Sequence, residues 1–364
     1  MGARTLNIRG FDLKFPVFMP DATFGLVRGV PNFQLESINI QALVMNAFHL
    51  MQKPGSSTVH ALGGLHQMTA WERPIITDSG GFQAYSLIHQ NPKFGSLNEK
   101  GILFRPEGSD RRLNLTPEKS IQLQFSFGSD LLICLDDCTH VDASYDDQVR
   151  SVEHTINWAR RGKAEFERQV NSRKLEDHQK PLIYAVIQGG GYTKLRQHCA
   201  DALLSMGFDG FGFGGWPLDA QSNLLTDILT FTRQIVPHNF IILALGIGQP
   251  YNLATCYKLG YDLFDCAMPT RDARHGRLYT FTDPSEVNAD HHNWLKYAYI
   301  NDEKNIKANK PISEFCDCPC CLNFSLGYLH HLHKLNDGLY IQLATLHNLR
   351  FMTQLTEILH HARP

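Results

Sequence analysis

Eight short apolar segments recur along the chain, and most of them lead directly into a polar residue or a glycine. Longer polar stretches of helical character, such as 146–170 and 194–206, separate most of them. The apolar segments are residues 15–20, 43–45, 74–77, 131–135, 182–187, 210–213, 240–245 and 263–264. A strand followed by a helix, repeated eight times, predicts an α/β fold of the (β/α)8 TIM-barrel type, whose active site lies at the C-terminal ends of the strands.

The residues that follow the apolar segments indicate what such a barrel does. Asp78, Asp136 and Asp265 follow three different predicted strands. We therefore expect their carboxylates to face one pocket. Carboxylates that converge on a pocket are suited to nucleophilic and acid–base catalysis. The sequence thus predicts an enzyme.

Length and charge limit the kinds of protein that fit this pattern. A barrel needs about 250 residues, and the 364 residues of this chain leave room for one further subdomain. The formal net charge of −2 gives no overall attraction to nucleic acid, so a nucleic-acid site would be a local basic patch. We find no signal peptide and no apolar run of about 18 residues, and we expect a cytoplasmic protein without a membrane span.

Four of the nine cysteines are crowded into one short segment, Cys316-Asp-Cys318-Pro-Cys320-Cys321. Disulfides within so tight a run would be strained. Closely spaced thiolates instead suit a tetrahedral Zn²⁺ site whose fourth ligand comes from a distant helix. We expect zinc to be bound by Cys316, Cys318 and Cys321 with one histidine. The candidate histidines are His330, His331, His333 and His347.

A change of pattern after Gly276 divides the chain into two predicted parts. Residues 1–276 are the barrel body, which begins with a short leader or capping hairpin over 1–13 and contains strands 1–8. Between residues 86 and 116, glycines among charged residues predict an ordered loop or a small hairpin. Residues 277–364 are the zinc-binding subdomain and a last helix, roughly over 347–361, that packs back on the barrel.

Four motifs at strand ends are candidates for binding a ligand. Asp78 begins Asp-Ser-Gly-Gly-Phe-Gln, a sharp turn whose small residues let a ligand approach the backbone. Asp136 and Asp137 are adjacent carboxylates, and Asp137 is either part of the site or the N-cap of the next helix. The glycines of 188–191 and 212–215 leave backbone amides free to bond the edge of a flat heterocycle.

The most specific stretch is 264–276. Asp265 ends the eighth predicted strand, and Arg271 and Arg274 follow it in the next loop. This order places a carboxylate beside a phosphate-binding fork, which suits chemistry on a sugar of a nucleic-acid backbone. The plainer alternative is a surface loop with local ion pairs.

Taken together, these motifs resemble the tRNA-guanine transglycosylases, which exchange guanine at the wobble position of the anticodon for a 7-deazaguanine base. The resemblance runs from about residue 18 to about residue 355, and its motifs occur in the family's order. They are Asn46-Ala-Phe-His-Leu, Asp78-Ser-Gly-Gly-Phe-Gln, Asp136-Asp-Cys, Gln188-Gly, Gly214-Gly215, Asp265 to Gly276, the three cysteines, Tyr328-Leu-His-His-Leu, and His347-Asn-Leu.

The resemblance implies a role for each of these positions. Asp265 would be the nucleophile that attacks the ribose C1′, and Asp78 would be the general acid and base. The remaining implied residues bind base, ribose, RNA or metal. They are Asp136, Gln188 and the Gly215 backbone for the edge of the base, Phe82 for its face, Asn46 for the ribose or the nucleophile, Arg271 and Arg274 for RNA phosphates, and His347 as the fourth zinc ligand.

The same resemblance implies the partners of the protein. These are one structural zinc ion per chain, the anticodon loop of tRNAs with a G-U-N anticodon, a 7-deazaguanine base, and a second copy of the chain in a homodimer. No redox cofactor and no nucleoside triphosphate is required.

Some positions depart from the family's pattern. Trp216-Pro217-Leu218 stands where the family carries smaller residues followed by Gly-Glu, and Pro217 has no N–H to donate. Gln249 stands where many members have lysine, and Asp21 and Phe24 lie in a first strand that is otherwise small or apolar. The incoming base therefore stays open among preQ1, queuine and preQ0, and the bulk of Leu218 favours a small base.

Three other functions compete with base exchange in tRNA. A non-catalytic RNA-binding partner subunit would lack one or more strand-end acids, whereas Asp78, Asp136 and Asp265 are all present. An enzyme that exchanges 7-deazaguanine into DNA would share the scaffold, although the full zinc motif and the paired arginines favour tRNA. A zinc-dependent barrel hydrolase would need metal ligands at strand ends, and the cysteines lie outside them.

Overall fold

The computed structural model describes residues 5–105, 112–140 and 142–362. Its centre is a sheet of eight parallel strands, each formed by a short apolar segment. In chain order they are β1 (Val17–Pro20), β2 (Leu43–Asn46), β3 (Ile75–Asp78), β4 (Leu131–Ile133), β5 (Leu182–Ile187), β6 (Gly210–Phe213), β7 (Ile241–Ala244) and β8 (Leu263–Cys266).

These strands close into a barrel. Around the sheet their order is β1-β8-β7-β6-β5-β4-β3-β2, and a parallel bridge between Asp21 and Val44 joins the two ends. The Ala22 N–H donates to the Val44 carbonyl at 2.7 Å across this seam. The predicted (β/α)8 fold is confirmed, since each strand lies within two residues of its predicted bounds.

Helices cover the outside of the barrel. In chain order they are α1 (Asn32–Ser37), α2 (Ala47–Leu50), α3 (Ser56–Ala61), α4 (Leu65–Thr69), α5 (Gly81–Gln90), α6 (Pro117–Phe127), α7 (Tyr145–Arg173), α8 (Thr193–Leu204), α9 (Thr226–Ile235), α10 (Pro250–Leu259), α11 (Met268–Arg274), α12 (Pro319–Asn323), α13 (Leu326–Lys334) and α14 (Gly338–His361). Consecutive helices from α6 to α10 pack side by side, and α14 packs against α10, α11 and β1. Helix α14 thus occupies the last place in the outer layer.

The start of α14 differs from the prediction. The helix begins at Gly338, where Asp337 caps it by accepting the Leu339 N–H at 2.8 Å. His347 therefore lies inside the helix instead of at its first turn. The predicted start was wrong because the Asp337 side chain caps the chain at this point, so the helix begins before the histidine.

Three small antiparallel sheets are added to the barrel. The N-terminal hairpin, expected over the first residues, pairs Thr5–Ile8 with Phe11–Lys14. A three-stranded sheet, formed by Gly95–Asn98, Gly101–Phe104 and Leu113–Leu115, occupies the region predicted as a loop or hairpin. After the barrel, Arg277–Phe281 pairs with Leu295–Tyr299 and leads into the cysteine segment.

The core is continuous through the barrel wall. Strand residues are buried on both faces, as is usual for parallel strands covered by helices. All nine cysteines are free, and Cys134, Cys199 and Cys256 are buried among apolar neighbours, as expected of small apolar side chains. None of the helices in the described ranges is long and apolar enough to span a membrane.

Candidate active site

Asp78 is the most highly bonded acid at the mouth of the barrel. It is the last residue of β3, and its Oδ2 accepts a hydrogen bond from the Asn46 amide at 2.6 Å. Its Oδ1 accepts the Gly80 N–H at 3.0 Å, because Gly80 adopts a left-handed conformation with φ of 81° that turns the chain back. Burial and the nearby Asp265 carboxylate raise the pKa of Asp78 to about 7.

Asp265 lies on β8, and its carboxylate is close enough to Asp78 to raise the pKa of Asp78. Its Oδ1 accepts the Gly246 N–H, which follows β7, at 3.1 Å. Burial is the main cause that raises the pKa of Asp265 to about 6, and the carboxylate of Asp21 adds to it. Asp21, just past β1, is held by the backbone N–H of Thr23 at 3.0 Å. Near neutral pH the site can therefore hold one ionised and one protonated carboxyl group.

Asp136 and Gln188 form a second pair, after the neighbouring strands β4 and β5. The Gln188 amide donates to Asp136 Oδ2 at 2.7 Å, and burial raises the pKa of Asp136 to about 6. Gln188 is fully buried, and its Oε1 has no hydrogen-bond partner among the described residues. Buried amide oxygens are usually bonded, so this atom is suited to accept a donor from a bound ligand.

Arg196 is a residue of the site that sequence reasoning missed. This buried arginine, on α8, donates to the carbonyls of Ile187, Gly190 and Gly214 at 3.1, 2.7 and 3.0 Å. Its guanidinium also lies 4.2 Å from the ring centre of Phe213. The three carbonyls are drawn toward Arg196, so it fixes the backbone of the two glycine-rich strand ends. Arg196 is recognised as part of the site by its burial, and the sequence does not show which arginine is buried.

The glycine pair after β6 lines the pocket beside Gln188. A Cβ on Gly214 would lie 2.7 Å from the Gln188 side chain, so only glycine fits there. Gly215 has a φ of 85°, and its Cβ position is less restricted, 3.5 Å from Gln188 Oε1. The backbone of this turn therefore reaches the pocket without an intervening side chain.

Phe82 stands at the pocket rim with two further aromatic residues. It lies on the first turn of α5, is 44% exposed, and its ring centre is 5.8 Å from that of Trp216. The Trp216 ring also lies 5.4 Å from the His140 ring. Neither Trp216 nor His140 was predicted to belong to an aromatic group.

Asp137 does not cap the following helix. Ser144 does, since its side chain accepts the Asp147 N–H. The buried Asp137 carboxylate instead lies 2.8 Å from His154 Nδ1 on α7, and its N–H donates to the Thr155 hydroxyl at 3.0 Å. The N-cap interpretation was wrong because the helix starts later, and Asp137 anchors the chain beneath Asp136 to α7.

Arg271 and Arg274 lie on α11, not in a loop as predicted. Arg271 is exposed and Arg274 is half-buried. Burial lowers the pKa of Arg274, and the neighbouring Arg28 and Arg271 lower it further, so the three cations lie close together. The group stands beside Asp21 and the end of β8. It supplies a local basic patch on a chain whose net charge is −2.

The cysteine cluster lies away from the strand ends and can hold a metal ion. The ligand atoms of Cys316, Cys318, Cys321 and His347 all lie within 4.8 Å of one another, with Cys321 Sγ 3.3 Å from His347 Nδ1. His347 Nε2 is 2.7 Å from the Tyr279 carbonyl. A proton on Nε2 bonds that carbonyl and leaves the Nδ1 lone pair for a metal.

Residues around this cluster hold its ligands in place. The Cys321 N–H donates to Cys318 Sγ at 3.4 Å. Arg350, on α14, binds both carboxylate oxygens of Asp317, at 2.5 and 3.0 Å, and so ties the cysteine segment to the helix that carries His347. No other group of three or more His, Cys, Asp or Glu with metal-binding geometry occurs in the described part of the chain.

The fold and the site define a class of protein. Carboxyl groups with raised pKa values on strands β3 and β8, on one rim with an amide side chain after β5 and bare backbone after β6, define an enzyme of the (β/α)8 class.

Comparison with known proteins gives the family. The profile described as Queuine tRNA-ribosyltransferase matches residues 2–362. Among proteins of that name, one from Psychrobacter sp. (strain PRwf-1) is 33% identical over 97% of this chain and 87% of its own length. One from Halothermothrix orenii is 35% identical over 95% and 86%, and one from Thermoanaerobacter pseudethanolicus is 35% identical over 96% and 86%. The chain belongs to the queuine tRNA-ribosyltransferase family and is an enzyme, a pentosyltransferase.

Proposed function

We propose that this enzyme exchanges the wobble guanine of tRNAs with a G-U-N anticodon for a 7-deazaguanine base. The observation that carries the proposal is the pair of carboxyl groups, Asp265 and Asp78, with pKa values raised to about 6 and about 7. At neutral pH the first is mainly a carboxylate, while a large share of the second still carries a proton. Base exchange needs one group in each state.

In the first half of the reaction, Asp265 attacks the ribose C1′ and the bond from C1′ to guanine N9 breaks. The bonding electrons leave with the guanine, which takes a proton from Asp78. The ribose remains esterified to Asp265, as in the glycosyl-enzyme of a retaining glycosidase. Asn46 donates to Asp78 and not to Asp265, so we assign Asn46 to orienting the acid.

In the second half, the 7-deazaguanine base gives its N9 proton to the Asp78 carboxylate and N9 attacks C1′. The ester to Asp265 breaks, and both acids return to their starting states. Asp136, Gln188 and the Gly215 backbone bond the edge of whichever base is in the pocket, and Phe82 covers its face. Because one set of contacts serves both bases, exchange needs no second site.

The remaining assignments concern RNA and metal. The anticodon loop is single-stranded, so taking its target nucleotide out of the stack costs less than in a duplex. Arg271 and Arg274 hold the flanking phosphates. Zn²⁺ in the Cys316, Cys318, Cys321 and His347 site is structural, because four protein ligands leave no open coordination position. The enzyme works in the cytoplasm, where tRNA is found, as a homodimer.

Incorporation of labelled guanine into unmodified tRNA with a G-U-N anticodon tests the proposal. We expect incorporation by the zinc-loaded protein and a covalent tRNA adduct on denaturing gels. Asp265→Asn should abolish both, while tRNA binding is retained. Failure of the folded, zinc-loaded protein to exchange guanine would refute the proposal and favour a partner subunit. Incorporation into DNA but not tRNA would assign the enzyme to DNA modification.

A further inference from the structure

Asp21 points to the same face of the barrel wall as Asp265. Strand β8 pairs in parallel with β1, and Asp265 is the partner of Met19 in that register. Side chains alternate between the two faces of a strand, so Asp21, two residues beyond Met19, points to the face that Asp265 occupies. The carboxylate of Asp21 also raises the pKa of Asp265, so the two groups lie close together. A further acid therefore stands beside the proposed nucleophile, one strand away.

The same arrangement continues across the seam of the barrel. Asp21 forms a parallel bridge with Val44, and Asn46, two residues beyond Val44, is the partner of Asp78. By the same alternation, Asn46 and Asp78 point to the face that Asp21 occupies, and Asp21 also raises the pKa of Asp78. Polar side chains from β8, β1, β2 and β3 therefore face one space. The proposed base exchange uses three of them and leaves Asp21 without a role.

One oxygen of the Asp21 carboxylate is engaged, and the other is available to a ligand. Oδ1 accepts both the backbone N–H of Thr23, at 3.0 Å, and the Thr23 hydroxyl. Among residues 5–105, 112–140 and 142–362, no donor bonds Oδ2 and no cation forms an ion pair with Asp21. Burial lowers the pKa of the nearby His49, so its imidazole is mainly neutral at pH 7 and does not cancel the charge of Asp21.

The base contacts leave this part of the rim to the sugar. Asp136, Gln188 and Gly215 follow β4, β5 and β6, so a base bonded to them lies on that side of the barrel. Its ribose, which Asp265 attacks from β8, then lies toward β8, β1 and β2. The charge of Asp21 also opposes the lowering of the Arg274 pKa. Because Arg274 is one of the cations proposed to hold the flanking phosphates, the RNA backbone would pass the same place.

The stereochemistry of a ribonucleotide brings its 2′-hydroxyl to this carboxylate. A nucleophile that displaces the base approaches C1′ from the face opposite the base, and the 2′-hydroxyl lies on that face. The 3′ oxygen of a nucleotide within a chain is already bonded to phosphorus, so the 2′-hydroxyl is the one O–H group of its ribose. An ionised carboxylate only accepts hydrogen bonds, and a hydroxyl is a donor that suits it.

We propose that Asp21 is a specificity-determining residue that accepts a hydrogen bond from the 2′-hydroxyl of the target nucleotide and so restricts base exchange to RNA. The inference rests on the proposed base exchange. A deoxynucleotide lacks this hydroxyl and would leave the Asp21 oxygen unbonded beside Asp265. As positive charge develops at C1′, the 2′-hydroxyl becomes a stronger donor, so the bond strengthens in the transition state.

Two RNA stem–loops that differ by one oxygen atom test the assignment. Both carry a G-U-N anticodon, and one has 2′-deoxyguanosine at the target position. For the wild-type enzyme we expect kcat/KM for guanine exchange to be higher with the all-ribose stem–loop by about tenfold or more, as for a hydrogen bond to a charged group. Asp21→Val should remove most of this preference. Asp227→Asn, which changes an exposed carboxylate on α9, is the control and should keep it.

The ratio of the two substrates isolates the contact from other effects of the substitution. Removing the Asp21 charge also lowers the pKa values of Asp265 and Asp78, but at one pH this changes the rates with both stem–loops alike. Partial loss of folded protein cancels in the same way. Equal use of the two stem–loops by the wild type, or an unchanged ratio in Asp21→Val, would overturn the proposal.

Binding without chemistry separates this inference from base exchange itself. In Asp265→Asn we expect the all-ribose stem–loop to bind more tightly than the deoxy one by about threefold, and adding Asp21→Val should abolish the difference. This preference without guanine incorporation by the wild type would refute base exchange while the contact to the 2′-hydroxyl stands. Guanine incorporation with equal use and equal binding of both stem–loops would refute the contact alone.

Discussion

Asn46 donates its side-chain amide to Asp78 at 2.6 Å, and the two residues are direct partners in the register between β2 and β3. The Asn46 Oδ1 accepts the His49 N–H at 3.0 Å and so caps α2. With both ends of the amide engaged, the donor cannot rotate away from the carboxylate. Asn46, at the end of β2, therefore positions the carboxylate of Asp78 at the end of β3.

The two raised pKa values predict a bell-shaped pH dependence of kcat/KM. Activity should rise as Asp265 loses its proton near pH 6 and fall as Asp78 loses its proton near pH 7. Since the two carboxyl groups interact, the apparent pKa value of each limb describes the pair of acids and not one residue alone. Guanine exchange measured from pH 4.5 to 9 checks this, and activity that stays flat to pH 9 would remove Asp78 from the role of acid.

Replacing Asn46 by serine should move the alkaline limb of the pH profile to higher pH. The hydrogen bond from Asn46 lowers the pKa of Asp78, because it stabilises the charged form. Serine is too short to reach Asp78 but can still cap α2, so the pKa of Asp78 should rise in a folded protein. The same pH profile measures the shift, and circular dichroism serves as the folding control. A limb that moves to lower pH would contradict the assigned role of Asn46.

The sequence was sufficient to predict the barrel, because each strand is an apolar segment that ends in polar residues and can be recognised locally. It was also sufficient to place Asp78, Asp136 and Asp265 at the C-terminal ends of strands, since parallel strands bring those ends to one rim. The sequence was not sufficient to predict contacts between side chains that follow different strands around the rim of the barrel. The path of Trp216 to Phe82, the burial of Arg196 and the pairing of Asp137 with His154 all depend on side chains that meet over long separations.

Asp265→Asn should stabilise the protein while it inactivates it. The pKa of Asp265 is raised in the folded state, so its protonated form favours folding at low pH and this contribution is lost as the pH rises through about 6. At pH 8 the neutral amide avoids the cost of a buried charge, about 1–3 kcal/mol, or a few degrees in Tm. Thermal unfolding at pH 8 and pH 4 should show a gain at the higher pH only. A lower Tm of Asp265→Asn at pH 8 would show that the buried Asp265 carboxylate does not destabilise the folded protein.

Loss of the metal site should unfold the C-terminal part of the molecule and reduce activity indirectly. His347→Ala removes a ligand on α14, the helix that also packs on β1 and α11, so we expect no bound zinc and a lower Tm. Cys320→Ala is the matched control, because Cys320 is a buried neighbour outside the ligand set. Metal content per chain and thermal unfolding report the outcome. Full zinc occupancy in His347→Ala would disprove the assignment of the fourth ligand.

Arg271→Ala should weaken tRNA binding mainly through electrostatics. Each lost phosphate contact to single-stranded RNA reduces the slope of log Kd against log salt by about 0.7, and Arg274→Ala should behave alike because the two side chains share one helix, α11. Arg160→Ala, an exposed arginine on α7 bonded to Asn157, is the control and should leave the slope unchanged. Binding of anticodon stem–loop RNA across a salt series measures each slope. Slopes equal to the wild-type slope in Arg271→Ala and Arg274→Ala, as in the Arg160→Ala control, would place the RNA away from α11 and leave the basic patch without a role in tRNA binding.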